Sequence, residues 1–386
     1  MLVSRRHFFF GSFALRAAFA DKKAPPERPN VLLILIDELP AWILGSYGNK
    51  EIYTPNLDRF ARTGTRFTNH IVATPAPQPS RATILTGRAP MQLERPGAVP
   101  LEKVLGGLGY VCRSGAAGDA AGFLDQQSSA KPFFLTVAYT SLQPPYEGVA
   151  QKYVDLYALN QFDSYLADPL APNARKGKEM LADRIGSLRK VAAALSAVDD
   201  SVSTLLAKLY QRQLRDNTLV ILTGTCGALY GRHGLWDSGD ASDPVNMFDE
   251  VVRTPLIWSW FGRVPPEGMQ VAVVSSYDLV PTVCDFLSAD LPAPDLCGRS
   301  YQVFARGMRL PKKERWRDNV FAHYQNTDMA REDRYKVILR SGGANELYDL
   351  VADPLEQTNQ YGNDQFASLR TTLSGALAAW KQKYAG

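Results

Sequence analysis

The chain has 386 residues, of which 45% are hydrophobic and 21% are charged. This composition is that of an ordinary globular protein, and it excludes a disordered or fibrous chain. A chain of this length can bury a large core. Its 43 basic and 39 acidic side chains leave a formal net charge of +4. Because no dense basic stripe accompanies that small excess, the charge gives no reason to expect a nucleic-acid partner.

The N-terminus is predicted to be an export signal. Arg5 and Arg6 are followed by a short apolar stretch and by Ala18-Phe19-Ala20, a small-x-small cleavage pattern. We therefore expect a twin-arginine type signal peptide at 1–20, a linker at 21–29, and a periplasmic or secreted mature protein. An ordinary basic N-terminus is the alternative, and the apolar stretch is too short to span a membrane.

Three apolar runs predict buried strands. Asn30–Ile36 is a continuous run of branched residues, and 133–138 and 218–222 have the same character. Such runs are typical of parallel strands that are covered on both faces. The first run ends in Asp37-Glu38, which places two carboxyl groups at the sheet edge where α/β proteins carry their chemistry.

Helical patterns alternate with these strands. Thr54 and Pro55 form a typical helix start, and the apolar spacing over 180–212 predicts a long helix. The alternation predicts an α/β domain at 30–297, with a mostly parallel central sheet covered by helices on both faces. Two further strand patterns and a closing helix predict a small C-terminal α+β subdomain at 298–386.

Cysteine usage leaves two alternatives. Cys112, Cys226, Cys284 and Cys297 do not have the spacing of a zinc knuckle. In an oxidising periplasm Cys284 and Cys297 pair across a loop, or all four remain buried thiols. The sequence leaves both open, because the Cα distance decides whether a disulfide forms.

A series of motifs resembles the sulfatase family, in the same order along the chain. They are Asp37-Glu38 after a strand, Thr54-Pro55-Asn56-Leu57-Asp58, Pro79-Ser80-Arg81, His233-Gly234-Leu235-Trp236, Val252-Arg253-Thr254-Pro255, Tyr277-Asp278-Leu279 and Glu346-Leu347-Tyr348-Asp349. Each motif is weak by itself, but their order is specific. The resemblance implies an alkaline-phosphatase-like three-layer sandwich.

The nucleophile that this resemblance implies is missing. Sulfatases use a formylglycine, made from Cys or Ser, whose hydrated aldehyde attacks the sulfate sulfur. The corresponding position, two residues before Pro79, is Pro77. Because proline has neither a hydroxyl nor a thiol, no formylglycine is expected. Arg81, which supports the nucleophile in the family, is retained, either as a remaining site residue or as a structural arginine.

The cation site that the resemblance implies is also incomplete. The family holds a divalent cation, usually calcium, with two acidic residues after the first strand and an Asp plus Asn or His after a later one. Asp37 and Glu38 match the first pair, whereas Thr225 and Cys226 replace the second. We therefore expect at most weak binding of a divalent cation at Asp37 and Glu38. The alternative is an acidic pair that caps a helix or faces water.

Groups that would bind sulfate and protonate the leaving group are largely replaced as well. Gln143 corresponds to a family histidine and Ser238 to a family lysine, and 115–119 replaces a Lys-Trp-His segment. His233 is retained, either as a site residue or as a packed histidine. Arg81 and His233 are thus the candidate catalytic residues.

Two functional hypotheses follow. The first is a catalytically inactive sulfatase homologue that binds a sulfated carbohydrate, another anion or a partner protein. In this hypothesis Arg81, His233 and backbone N–H groups at a helix N-terminus hold the anion. The second is a metal-dependent sulfuric or phosphoric ester hydrolase, with a rearranged zinc site made of Asp37, Glu38, Cys226 and His233.

Overall fold

A computed structural model describes residues 28–128, 130–165 and 168–385. The predicted signal peptide and most of the predicted linker therefore lie outside the described residues. No helix in the described part of the chain is long and apolar enough to cross a membrane.

The strands of the described residues, in chain order, are β1 (Asn30–Ile36), β2 (Thr65–Phe67), β3 (His70–Ile71), β4 (Val111–Ala116), β5 (Phe133–Tyr139), β6 (Thr218–Gly224), β7 (Leu256–Ser259), β8 (Gly268–Gln270), β9 (Val274–Ser275), β10 (Val320–Tyr324), β11 (Thr327–Arg331), β12 (Tyr335–Arg340) and β13 (Glu346–Asp349). The α-helices are α1 (Pro55–Arg62), α2 (Pro77–Thr86), α3 (Leu101–Gly107), α4 (Ala117–Asp125), α5 (Gln151–Asp155), α6 (Lys178–Ala182), α7 (Arg184–Gln211), α8 (Asp249–Val252), α9 (Leu279–Phe286), α10 (Gln302–Ala305) and α11 (Ala367–Ala385).

The central sheet has seven strands in the order β4-β5-β1-β6-β7-β2-β8. β4, β5, β1 and β6 run parallel to one another, β7 is antiparallel to both of its neighbours, and β8 is parallel to β2. The three strands predicted from apolar runs are β1, β5 and β6, at the centre of this sheet. The mostly parallel sheet is confirmed.

Helices cover both faces of this sheet because β1 is apolar on both sides. Leu32 and Ile34 pack on one face in the cluster that contains Leu195 of α7. Val31, Leu33 and Leu35 pack on the other face, in the cluster that contains Ile84 of α2. The result is the three-layer α/β sandwich that the resemblance implied.

The C-terminal subdomain is built on an antiparallel sheet in the order β10-β11-β12-β13. One face of this second sheet is covered by α11, through a cluster that contains Leu377 and Trp380. The other face packs on the first domain, where Met329 and Ile338 join the cluster of Val72. The α+β character is confirmed, while the boundary at 297 and 298 stays a prediction.

The predicted helix over 180–212 is two helices, α6 and α7. Asp183 separates them, with a non-helical backbone, and its carboxylate accepts a hydrogen bond from Gly186 N. Asp183 caps the start of α7, and this non-helical position interrupts what would otherwise be one continuous helix. The apolar spacing of the sequence does not reveal such an interruption.

A buried charge network joins the second sheet to α8. The ammonium group of Lys336, on β12, is fully buried and donates to Met247 O and Asp249 Oδ1, both at 2.9 Å. It also pairs with Glu356 at 2.5 Å, and Arg331 contacts both oxygens of Asp249. Each buried charge has a partner, as the cost of desolvating a single ion requires.

We expect Lys336→Met to lower the free energy of unfolding by about 3 kcal/mol, because it leaves buried carboxylates without their cation. Urea denaturation of the two proteins measures the difference. Lys313→Met, at an exposed position, is the matched control and is expected to change stability little. A loss for Lys336→Met no larger than that of the control would contradict the role given to this network.

Candidate functional site at the sheet edge

Three neighbouring parallel strands end at one edge of the central sheet. Ile36 of β1 is in register with Tyr139 of β5 and with Gly224 of β6. The residues that follow, Asp37, Thr140 and Thr225, therefore meet at this edge. A cavity of about 320 Å³ lies there, and its lining residues include Asp37, Pro77, Arg81, Thr140, Gln143 and Asp240. Pro77 and Asp37 therefore line the same cavity.

Hydrogen bonds engage both oxygens of the Asp37 carboxylate. Arg81 Nη2 lies 2.9 Å from Oδ1 and 2.8 Å from Oδ2, and Thr225 Oγ1 donates to Oδ1 at 2.8 Å. The Asp37 side chain is almost fully buried, whereas about a third of the Arg81 side chain is exposed to the cavity. A guanidinium group of the chain itself thus neutralises the carboxylate.

Glu38 does not share this cavity with Asp37. Its side chain is buried beside Asp237, and Oε2 has no hydrogen-bond partner among the described residues. Burial raises the pKa of Glu38 well above its ordinary value of 4.5, and the charge of Asp237 and a hydrogen bond to it raise the pKa further. Burial and the neighbouring carboxyl group thus favour the protonated form of Glu38. Its backbone, at φ 55°, lies in the left-handed region.

These residues do not fit the divalent cation of the family. Calcium needs six or more oxygen ligands with enough negative charge. Asp37 is occupied by Arg81 and Thr225, and burial disfavours the charged form of Glu38. Over the described ranges, no group of three or more His, Cys, Asp or Glu side chains is arranged to hold a metal ion.

The zinc hypothesis lacks its ligands for a different reason. The Cys226 thiol is fully buried, and burial raises its pKa well above the ordinary value of 9.0. Zinc binds the thiolate, so a zinc ion would have to reach this enclosed sulfur and displace its proton.

His233 does not join Asp37 and Arg81. Its ring stacks on Phe248 with the centroids 3.7 Å apart, and Nε2 lies 3.5 Å from a carboxylate oxygen of Glu250. It lines a different cavity, of about 500 Å³, together with Asp168. The pairing of His233 with Arg81, and the four-residue zinc site that includes His233, are therefore not formed. The reason is tertiary: packing on Phe248 fixes the ring away from the sheet edge.

The N-terminus of α2 offers little to an anion. Pro77 and Pro79 carry no backbone N–H, and Ser80 N donates to Ala76 O at 3.1 Å. Of the four N–H positions that a helix start normally leaves free, here 76–79, only Ala76 and Gln78 carry an N–H. The expected anion cradle of backbone N–H groups and Arg81 is thus reduced to two N–H groups and a guanidinium that already binds Asp37.

Asp240 and Tyr324 line the cavity although no sequence motif predicted them. Asp240 lies 3.7 Å from Lys176, and its carboxylate adds negative charge to the lining. Tyr324 belongs to β10 of the second sheet. No motif marks either residue, and only the docking of distant segments brings them to the sheet edge.

All four cysteines are free thiols. Cys284 is buried in α9, and Cys297 is partly buried near Gly87 O. Of the two alternatives for Cys284 and Cys297, the structure has the unpaired one.

Comparison with known proteins decides the family. A sulfatase family model matches residues 29–104 and 116–289, which together are more than half of the chain. The chain belongs to the sulfatase family. A second model, described as N-sulphoglucosamine sulphohydrolase, C-terminal, matches residues 231–383 of this sulfatase-family chain.

Relatives resemble the sulfatase-family chain over most of its length. An ulvan-active sulfatase of Formosa agariphila is 22% identical over 433 residues, which cover 92% of this chain and 82% of the relative. Arylsulfatase A of Homo sapiens is 27% identical over 446 residues, covering 90% and 86% of the two chains. A protein solved in complex with its substrate, D-glucosamine-2-N,6-O-disulfate, is 20% identical with a TM-score of 0.78, covering 92% and 98%.

We expect Glu38→Gln to raise stability at alkaline pH and to flatten its pH dependence. The folded state keeps a proton on Glu38 above pH 4.5, where the unfolded chain releases it. The free energy of unfolding of the unmodified protein therefore falls as pH rises from 4.5 through the raised pKa, and glutamine removes this fall. The melting temperature, followed from acid to alkaline pH, measures the effect.

Glu147→Gln, at an exposed position, is the control for Glu38→Gln and is expected to leave the pH profile unchanged. A Glu38→Gln profile parallel to that of the unmodified protein would show that Glu38 is ionised in the folded state.

Proposed function

We propose that this sulfatase-family chain is catalytically inactive and acts by binding a ligand in the cleft at Asp37. The observation that carries the proposal is the position of Pro77. It lines the cavity beside Asp37, at the point where the nucleophile would stand, and its side chain cannot be converted to formylglycine. An attacking group at the sulfur is required before any other part of the site can contribute to turnover.

The charge at the sheet edge supports the same proposal. In an active site of this chemistry, positive charge stabilises the negative charge that develops on the leaving oxygen. Here the guanidinium of Arg81 is paired with Asp37, and burial raises the pKa of Glu38. Gln143, which lines the cavity, has no group that transfers a proton to a leaving oxygen near neutral pH.

A sulfated carbohydrate, another anion and a partner protein remain the ligand classes proposed from the sequence. Two relatives support a carbohydrate among these classes. One is named an ulvan-active sulfatase, and the other was solved in complex with a disulfated glucosamine. Export through a twin-arginine signal to the periplasm or the outside is part of the same proposal, as a sequence-based expectation.

No observation favours the alternative of a metal-dependent ester hydrolase. Its four ligands would have to converge, but His233 lies in another cavity and the Cys226 thiol is fully buried. Metal analysis of the purified protein tests this alternative directly, since it requires stoichiometric zinc.

We expect neither the unmodified protein nor Pro77→Cys to hydrolyse an aryl sulfate above a heat-inactivated control. The variant is co-expressed with the formylglycine-generating enzyme, and mass spectrometry establishes whether the introduced cysteine is converted. Conversion alone is expected to fail, because the groups of such a site act as a unit. An active sulfatase from the same cells is the positive control. Robust turnover by converted Pro77→Cys would mean that Pro77 is a single lesion in a competent site.

We expect Thr225→Asp combined with Cys226→Asn to raise calcium affinity before it gives any turnover. The two changes add a carboxylate and an amide oxygen next to Asp37, which are ligands that calcium prefers. Calcium is therefore expected to raise the melting temperature of the double variant, reversibly with chelator, and not that of the unmodified protein. A calcium-dependent rise in the unmodified protein that disappears in Asp37→Asn would contradict the misfit argued above.

A further inference from the structure

A further cavity, of about 590 Å³ and distinct from the one that His233 lines, adjoins the Asp37 cavity on the side of the second sheet. We call it the His323 cavity. The two cavities share Pro79 and Tyr324 as lining residues, so they are adjoining parts of one cleft. The volume lies within the range of about 300–1,000 Å³ that small-molecule sites occupy. Its wall is mostly apolar and includes Pro90 and Met91.

His323, on β10, is held in one orientation in this cavity. Its Nδ1 lies 2.7 Å from Asp328 Oδ1, and Lys381 Nζ lies 2.5 Å from Asp328 Oδ2. Burial acts to raise the pKa of Asp328, but the bonds to His323 and Lys381 outweigh it and lower the pKa. A charged carboxylate at Nδ1 fixes the ring and the proton on that nitrogen. Nε2 is left without a hydrogen bond to the described residues, on a side chain that is 24% exposed.

Thr74 provides a second, independent sign of a ligand. It lines the same cavity, is 1% exposed, and its Oγ1 has no hydrogen-bond partner within the described ranges. The backbone N–H of His323 donates to Ala73 O at 3.0 Å, which holds Thr74 beside β10. A buried hydroxyl without a partner costs about 1–3 kcal/mol, so a polar group of a ligand would gain by reaching it.

The charges of the cleft disfavour an anion. The carboxylates of Glu94 and Asp240 line the two cavities, and Asp240 is paired with Lys176 at 3.7 Å. Arg81, the one arginine or lysine among the described residues that line them, already binds Asp37. A sulfate ester would bring like charge close to both carboxylates. An uncharged ligand with hydroxyl groups meets no such cost.

We propose that the cleft binds an uncharged carbohydrate, whose ring rests on the apolar wall of the His323 cavity and whose hydroxyl groups bond His323 Nε2 and Thr74 Oγ1. A sugar ring has an apolar C–H face and a rim of hydroxyl groups, which matches an apolar wall with few placed polar atoms. The inference rests on the proposed function, because it uses the same cleft for binding in place of turnover.

The test is an array of unsulfated oligosaccharides, each printed beside its O-sulfated form, and probed with the full chain. For the oligosaccharide that binds best, calorimetry then measures the dissociation constants of the unsulfated and sulfated forms in solution. We expect an unsulfated member to bind with a dissociation constant of about 1 mM or tighter, and about tenfold more tightly than its sulfated partner.

Two substitutions of His323 form a matched pair. His323→Asn keeps an amide group near the Nδ1 position, where it can bond Asp328, but has no atom at Nε2. His323→Gln places its amide near Nε2. We expect His323→Asn to weaken binding by about tenfold and His323→Gln to weaken it less, with both variants folded by circular dichroism. Thr74→Val is also expected to weaken binding, whereas Thr372→Val, on the exposed face of α11, is the control.

A charge substitution tests selectivity separately. Glu94→Gln combined with Asp240→Asn is expected to raise affinity for the sulfated partner and to leave affinity for the unsulfated one unchanged, because only the former carries a charge.

Three results would overturn the inference. They are no binding of any unsulfated glycan at about 1 mM, tighter binding of the sulfated form, and unchanged affinity in both His323 variants. None of these three results bears on the proposal that the protein is catalytically inactive. Turnover of an aryl sulfate would instead overturn the proposed function, whatever the array shows.

Discussion

The ion pair between Arg81 and Asp37 is the interaction on which the sheet edge depends. Asp37 is only 3% exposed, and a carboxylate buried to that degree needs a cation. Arg81 provides it from α2, while Thr225 binds the same carboxylate from the end of β6. Ser80, the neighbour of Arg81, donates to the backbone of Thr225. One helix and two strands are thus joined at a single buried charge.

This arrangement holds the sheet edge together and at the same time engages its charged groups within the protein. A sulfatase site needs free positive charge for an anionic substrate, and here the guanidinium is used within the protein. The prolines at 77 and 79 reduce the N–H groups at the start of α2, and burial raises the pKa of Glu38. These features are the basis of the proposal that the cleft binds a ligand without reacting with it.

The sequence by itself determined the central part of the fold. β1, β5 and β6 are local apolar runs whose length and branching are typical of buried parallel strands. Parallel strands that pair in register end at the same edge, so Asp37 and Thr225 had to meet once the sheet formed. The loss of the nucleophile at Pro77 is also a local fact, because no fold can give proline a hydroxyl or a thiol.

Only the tertiary structure decided which side chains share the cleft. His233 was retained in its motif, yet stacking on Phe248 holds it in another cavity. Glu38 follows Asp37 in sequence, yet its carboxyl group is buried beside Asp237. His323 and Tyr324 reach the cleft because the second sheet docks on the first domain, through contacts between residues far apart in the chain. The periodicity of a sequence records which face of an element is buried, but not which distant element covers it.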